Sequence, residues 1–375
     1  MRLLHVTSGN LYGGVERALV AFARAASPTS APVRQTFAVA YDGRLRTELE
    51  ASGADVVTFG AARARKPWTI WRARRELASV IAGLGSPLAV LAHSPWALAV
   101  LGQAAQDARA LTVLYLHNPP AQALWPDGWA RRTAVDLVIA NSQYTAEASR
   151  PFLPAASILC LYPPVDLPAI PAGDRVRVRR ELGTGEDDVV ILQASRMEAW
   201  KGHTALVEAL ATLADLPGWT AWIAGGAQRP SERVYVLSVR RAVTSAGLEP
   251  RVRFTGERAD IARLAAASDI YCQVNRDPEP FGVAFVEALG AGLPVVTTAA
   301  GGAPEIVVDD CGRLVAPGDA TTLAATLREL IGSARLRESL GARGPARARA
   351  LCDGPTQLAR LIEILDETPV RAAVR

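Results

Sequence analysis

Short runs of Val, Ile, Leu and Ala recur along this chain, apolar at consecutive rather than alternate positions, with longer amphipathic stretches between them. In the first half the runs are Leu3–Thr7, Thr36–Tyr41, Asp55–Phe59, Leu88–Ala92, Leu111–Leu116, Val135–Ala140 and Ile158–Tyr162. In the second half they are Val189–Ala194, Trp219–Ala224, Val252–Thr255, Ile270–Val274, Pro294–Thr298 and Arg313–Ala316. A strand with one wet face alternates; a strand covered on both faces does not. Continuous runs therefore predict strands buried in parallel sheets. Stretches such as Val15–Ala26 and Thr204–Ala214 read as the intervening helices. This is β-α-β repetition twice over, which predicts an α/β architecture.

The 375 residues, half of them hydrophobic, suit two domains with sizeable cores. Two adjacent prolines interrupt the pattern in Tyr162-Pro163-Pro164-Val165-Asp166-Leu167-Pro168, and a linker is expected there. The expected domains are 1–167 and 168–354, followed by a segment 355–375 whose helix, Pro355–Glu367, is free to pack elsewhere. Residues 1–167 carry 16 basic against 11 acidic side chains, and the remainder 25 against 26, so the first domain is basic and the second nearly neutral. The net charge of +4 is too mild for the basic stripe of a nucleic-acid binder. No segment approaches the roughly 18 apolar residues of a membrane span, and the first apolar run is too short for a secretory signal. Cys160, Cys272, Cys311 and Cys352 are scattered without a Cys-x-x-Cys, which predicts reduced thiols in a cytoplasmic protein.

Three segments at expected strand ends carry chemistry. The first is Glu279-Pro280-Phe281-Gly282-Val283-Ala284-Phe285-Val286-Glu287. A helix starting near Pro280 or Phe281 would leave the amides of Gly282 and Val283 as an anion site, with Glu279 before it and Glu287 inside the helix. A diphosphate on the amides would leave one carboxylate for hydroxyls on each side, which is the order of groups in a nucleotide sugar. A capping glutamate and an exposed helical glutamate would produce the same pattern. The second segment runs from Ser195 to His203 and offers Arg196 and Lys201 to a phosphate, or to solvent. The third, Ser8 to Arg17, holds Gly13-Gly14, which suits either a phosphate-binding turn or a plain strand-to-helix turn. Neither a G-x-G-x-x-G fingerprint nor a Walker A loop is present.

Together these segments resemble the retaining GT-B glycosyltransferases of family 4. Glu279 and Glu287 match that family's E-x7-E motif, Arg196 and Lys201-Gly202 its Arg…Lys-Gly pair, and Gly13-Gly14 its N-terminal glycine loop. Thr255-Gly256 and Gly301-Gly302-Ala303-Pro304-Glu305 also fit. The resemblance implies two facing Rossmann-like domains with parallel sheets and an interdomain cleft. It implies a donor bound mainly by the second domain and a last helix crossing back to the first. It implies that Glu279 meets the donor sugar, that Glu287 meets the ribose, and that Arg196, Lys201 and the Gly14 amide meet the diphosphate. Phe281, Gly282, Val283 and Ala284 complete the expected donor-binding stretch. His117, after the Leu111–Leu116 run, matches the family's histidine beside the donor sugar; without the resemblance it reads as a core histidine. His93 is an acceptor-side candidate, and His5 and His203 read as structural.

The function expected from this resemblance is transfer of a sugar from a nucleoside-diphosphate sugar to an acceptor hydroxyl with retention. A UDP-sugar comes first among donors and a GDP-sugar next. The acceptor is a lipid-linked glycan, a polysaccharide or a small metabolite. No Asp-x-Asp is present, so no metal and no other cofactor are expected. A nucleotide-sugar epimerase and a non-catalytic nucleotide-sugar binder on the same fold are the alternatives. The segment Arg63–Arg75 gathers six cations with Trp68 and Trp71, and Trp125, Trp129, Arg131 and Arg132 form a second such group. Peripheral contact with an anionic membrane at its cytoplasmic face, or tryptophans turned to the core, would each explain the first group.

Overall fold

Parallel strands covered by helices account for the apolar runs. In the computed structural model, residues 1–26, 33–63, 65–120, 125–154, 156–167 and 173–370 are described; Pro168 and the side chain of Trp125 fall outside them. The first sheet is built from β1 (Arg2–Thr7), β2 (Arg34–Val39), β3 (Asp55–Thr58), β4 (Leu88–Ala92), β5 (Leu111–Leu116), β6 (Leu137–Ala140) and β7 (Ile158–Cys160), in the order β3-β2-β1-β4-β5-β6-β7. The second is built from β8 (Val189–Ala194), β9 (Trp219–Ala224), β10 (Val252–Gly256), β11 (Ile270–Gln273), β12 (Val295–Thr298) and β13 (Gly312–Val315), in the order β10-β9-β8-β11-β12-β13. Every ladder is parallel. Both sheets reverse direction of growth once, between β1 and β4 and between β8 and β11. Loops leaving the carboxyl ends of such a strand pair splay apart and leave a crevice.

The chain folds as two units, Met1–Asp166 with Cys352–Arg375, and Leu167–Leu351. The helix Gly354–Asp366 belongs to the first. Its Leu358, Leu361 and Leu365 recur at one-turn spacing and pack with Leu3, Leu19 and Phe22. The backbone of Val165 donates to the carbonyl of Cys352, at 3.0 Å, where the chain returns.

Element ends shift by a few residues from the sequence expectation, and three of the shifts matter to the interior or the site. β2 begins at Arg34 rather than Thr36, taking the polar Gln35 into the interior. β7 stops at Cys160, short of the two prolines that cannot donate to a ladder. The helix after β11 starts at Val283, not at Pro280 or Phe281. Glu279 is held extended by a parallel bridge to Gly301 and by Gly302, whose amide donates to its carbonyl at 2.7 Å. The chain can turn into the helix only after Gly282, which sits at φ +111°, a conformation glycine alone adopts freely.

Candidate active site

The loops after β8 and β11, at the reversal point of the second sheet, meet at one ion pair. Lys201 Nζ lies 2.7 Å from Glu279 Oε2, with only 14% and 11% of the two side chains exposed. The same oxygen accepts from Asn275 Nδ2 at 2.5 Å and from Gln273 Nε2 at 3.3 Å. An ionised carboxylate only accepts, so both amide nitrogens must face it. Their oxygens follow: Gln273 Nε2 also donates to Asn275 Oδ1 at 3.0 Å, and the one hydroxyl hydrogen of Tyr271 is shared between Gln273 Oε1 and Ala194 O, each 3.0 Å from the phenol oxygen. Burial pushes the Tyr271 phenol well above its ordinary range, helped by the charges of Glu287 and Glu279, so it remains a donor. Among the described residues the second oxygen of Glu279, Oε1, meets no donor and is not enclosed. It is an acceptor presented in a fixed direction.

The loops approach at van der Waals limits. Gly202 sits at φ +72°, and a Cβ there would fall 1.7 Å from the Val274 carbonyl oxygen. Gly301, at φ +71°, would place one 2.1 Å from Glu279 O. These glycines let the backbone of each loop lie against the other. Lys201 also stacks its ammonium 3.7 Å from the centre of the Trp200 ring.

Beside the pair, the helix Val283–Gly290 begins. Gly282 O takes the amides of Phe285 and Val286, at 2.9 and 3.3 Å, so those of Val283 and Ala284 are the first-turn donors left to an anion. The Phe281 side chain is core, so only its backbone lies at the site. Glu287 stands one turn into the helix and half-buried. Arg196 is bound to the buried Glu232 and lies 3.3 Å from Glu198 Oε1. Glu232 is itself fixed by the amides of Gln228 and Arg229, at 2.6 and 3.2 Å. Arg196 is thus aimed by carboxylates that also temper its charge.

The first unit places the remaining candidates at the ends of β1, β4 and β5. The Gly13 amide donates to Glu16 Oε2 at 2.9 Å, so it is occupied as the cap of the helix Gly14–Ala25. His93 Nε2 lies 2.9 Å from His5 Nδ1, and His93 Nδ1 lies 2.9 Å from His117 Nε2. Both ring nitrogens of His93, the acceptor-side candidate, are therefore engaged by neighbouring imidazoles. His5 is not merely structural filling but the next member of this chain. His203, also placed among structural histidines, meets Ser195 Oγ at 3.2 Å.

Sequence reasoning missed Gln273, Asn275, Glu198 and Glu232. The first two are amides beside an apolar run, and only the fold points them at Glu279. Glu232 had a readable signal: it follows Pro230 by two positions, the spacing of a helix start whose third residue caps the turn.

Residues 174–347 match the family model described as glycosyl transferases group 1, and residues 12–168 match the one described as glycosyltransferase family 4. The chain is 28% identical over 320 residues to a GDP-mannose-dependent monoacylated alpha-(1-6)-phosphatidylinositol monomannoside mannosyltransferase of Corynebacterium glutamicum, covering 79% of this chain and 78% of that protein. It is 32% identical over 201 residues to a D-inositol 3-phosphate glycosyltransferase of Mycobacterium marinum, covering 53% and 41%. Among solved structures, Anabaena Alr3699/HepE in complex with UDP-glucose is similar with a TM-score of 0.84 at 28% identity, covering 98% of this chain and 99% of that one.

The close approach of the two loops yields a prediction. Gly202→Ala adds a methyl where the Val274 carbonyl stands and strains a left-handed backbone, at a cost of about 1–3 kcal/mol from the backbone alone. A lowered melting temperature is expected, together with weaker nucleotide binding in calorimetric titration, since Lys201 must move with its neighbour. A variant with the parental melting temperature and affinity would show that the loops have slack.

Proposed function

The chain belongs to the family 4 GT-B glycosyltransferases, and we propose that its second unit binds a nucleoside-diphosphate sugar at the Lys201–Glu279 pair and transfers the sugar to an acceptor hydroxyl with retention. The observation that carries this reading is the half-tied carboxylate of Glu279, which precedes a helix whose first amides, those of Val283 and Ala284, meet no acceptor among the described residues. In it the diphosphate sits on the amides of Val283 and Ala284, with Lys201 and Arg196 matching the negative charge that grows on the leaving group. The free oxygen of Glu279 accepts from sugar hydroxyls, and Glu287 from the ribose. No side chain is assigned as a nucleophile, so the acceptor attacks on the face from which the nucleotide leaves. A UDP-sugar is the first donor to test and a GDP-sugar the second, since the relatives' names include both. The acceptor is a lipid-linked glycan, a polysaccharide or a small metabolite. The enzyme works in the cytoplasm, where Cys160, Cys272, Cys311 and Cys352 stay reduced.

The two glutamates separate by experiment. Ribose hydroxyls are alike in donor, product and transition state, so Glu287 supports uniform binding. Glu287→Gln should weaken affinity for the free nucleoside diphosphate. Glu279→Gln should leave that affinity nearly intact and lower single-turnover rate by roughly two orders of magnitude, the scale of one lost transition-state contact. The reverse pattern, with Glu279→Gln abolishing nucleotide binding, would exchange the roles.

Charge on the leaving group is met by cations and amides in this reading, with no metal. The sequence holds no Asp-x-Asp that would bring one. Transfer should therefore persist in EDTA. Loss in chelator, restored by manganese or magnesium, would reject metal independence.

The Arg63–Arg75 segment is proposed to touch anionic membrane. Ile70, Ala73, Leu77 and Ile81 form the buried face of the helix Pro67–Leu84, which leaves Trp68 and Trp71 outside, 64% and 65% exposed. Tryptophans turned to the core are thereby excluded. Arg74 is spent inside the fold, donating to Val100 O at 2.6 Å and Ala99 O at 3.2 Å, while Arg63, Arg65, Lys66, Arg72 and Arg75 remain exposed. Flotation with phosphatidylglycerol vesicles should carry the protein at low salt, less at physiological salt, and not after Trp68→Ser with Trp71→Ser. A parent protein that stays with the soluble fraction at both salts rules the contact out.

A further inference from the structure

Three imidazoles in a row are costly to bury unless each polar atom has a partner. His5 on β1, His93 after β4 and His117 after β5 stand on adjacent strands of the first sheet, and all three are buried. Besides the two contacts of His93, His5 Nε2 lies 3.0 Å from Gln35 Oε1, and Gln35 Nε2 donates to the backbone carbonyl of Phe22 at 2.7 Å.

The proton positions follow from the far end. A backbone carbonyl only accepts, so the Gln35 amide is oriented with its nitrogen toward Phe22 and its oxygen toward His5. His5 Nε2 therefore carries hydrogen. Burial keeps all three rings neutral: it lowers His5 to about 4 and His117 to about 3, and holds His93 well below its ordinary value. A neutral ring has one hydrogen, so His5 Nδ1 is bare and His93 Nε2 must donate to it. His93 Nδ1 is then bare, and His117 Nε2 donates to that. The last atom, His117 Nδ1, is left bare. Among the described residues it meets no donor, and it is not among the enclosed orphan atoms. The His117 backbone is pinned in turn by Asn141 Nδ2, which donates to its carbonyl at 3.0 Å.

We propose that Gln35, His5 and His93 are positioning residues that hold His117 as the Nε2–H tautomer, so that Nδ1 is presented as a hydrogen-bond acceptor to a sugar hydroxyl. The last clause rests on the glycosyl-transfer reading above; the tautomer itself does not. No group is consumed, and no proton is transferred during turnover. The relay acts by deciding whether His117 offers a lone pair or a hydrogen to the ligand.

Nitrogen-15 two-bond correlation spectra of the full chain distinguish protonated from bare ring nitrogens. With four histidines in the sequence, assignment by single substitution is direct. In the parent, His5, His93 and His117 should all show Nε2 protonated and Nδ1 bare. His5→Phe keeps an aromatic ring against Phe37, whose centroid is 4.7 Å away, but removes the acceptor for His93. His93 then gains by moving its hydrogen to Nδ1 and donating to His117 Nε2, and the His117 hydrogen moves to Nδ1. Donor kcat/KM should fall about tenfold, the scale of one hydrogen bond turned unfavourable. Gln35→Leu should release the tautomer in the same way. Gln35→Glu, buried and protonated, can donate to Phe22 and accept from His5, so it should retain the parental His117 spectrum. A parent His117 protonated at Nδ1, or nitrogen shifts unmoved by both His5→Phe and Gln35→Leu, would overturn the relay. A switched tautomer with unchanged donor kcat/KM would overturn the role of Nδ1 toward the sugar. Absence of any donor turnover in the parent would instead reject the glycosyl-transfer reading, while the spectra still decide the relay.

Discussion

The carboxylate of Glu279 can only accept, and it is held where water reaches little of it. That requirement organises the crevice end of the second sheet. Lys201 must come to it, which brings the loop after β8 against the loop after β11. Gln273 and Asn275 must turn their nitrogens to it, which fixes their oxygens and draws in Tyr271. Gly202 and Gly301 must lack side chains, because the backbones meet there. Removing one partner of such a pair leaves a buried charge uncompensated, at about 3–5 kcal/mol. The free oxygen of Glu279 inherits its direction from every member of the arrangement.

The two units use one topology for different chemistry. In each, growth of the sheet reverses beside its first strand, and the polar groups gather at the strand ends there. The second unit collects charge: Lys201 and Arg196 against Glu279, Glu232 and Glu198. The first collects neutral imidazoles in line, with a single glutamine orienting them. Charged donors suit the recognition of anions, because charge-assisted hydrogen bonds are the stronger ones. Neutral rings suit recognition of hydroxyls, which need direction more than charge.

The helix Pro67–Leu84 shows how one face can be read and the other not. Its apolar positions at Ile70, Ala73, Leu77 and Ile81 satisfy the core completely, and that leaves the tryptophans no interior to enter. Six basic residues in the sequence became five at the surface because Arg74 reaches back to cap carbonyls of the neighbouring helix. A long side chain at a helix flank has both options, and only the neighbouring element decides.

The sequence by itself determined the α/β architecture, the two parallel sheets and the family motifs. Apolar runs without alternation have one stable home, a strand covered on both faces, and glycines at positive φ leave a mark no other residue replaces. Glu279, Lys201 and Arg196 were legible because their chemistry lies in the loops that such sheets send to the crevice. The tertiary structure alone decided what surrounds them. Glu232 comes from a helix 36 residues after Arg196, and Gln35 reaches His5 across 30 residues. The start of the helix at Val283 was set by Gly301 and Gly302, more than ten positions later in the chain. The tautomer of His117 depends on a carbonyl of Phe22, which touches no part of His117 at all. Hydrogen bonds are directional and pass their direction on, so the state of the last atom in a chain is fixed by the first, and no local stretch of sequence contains both.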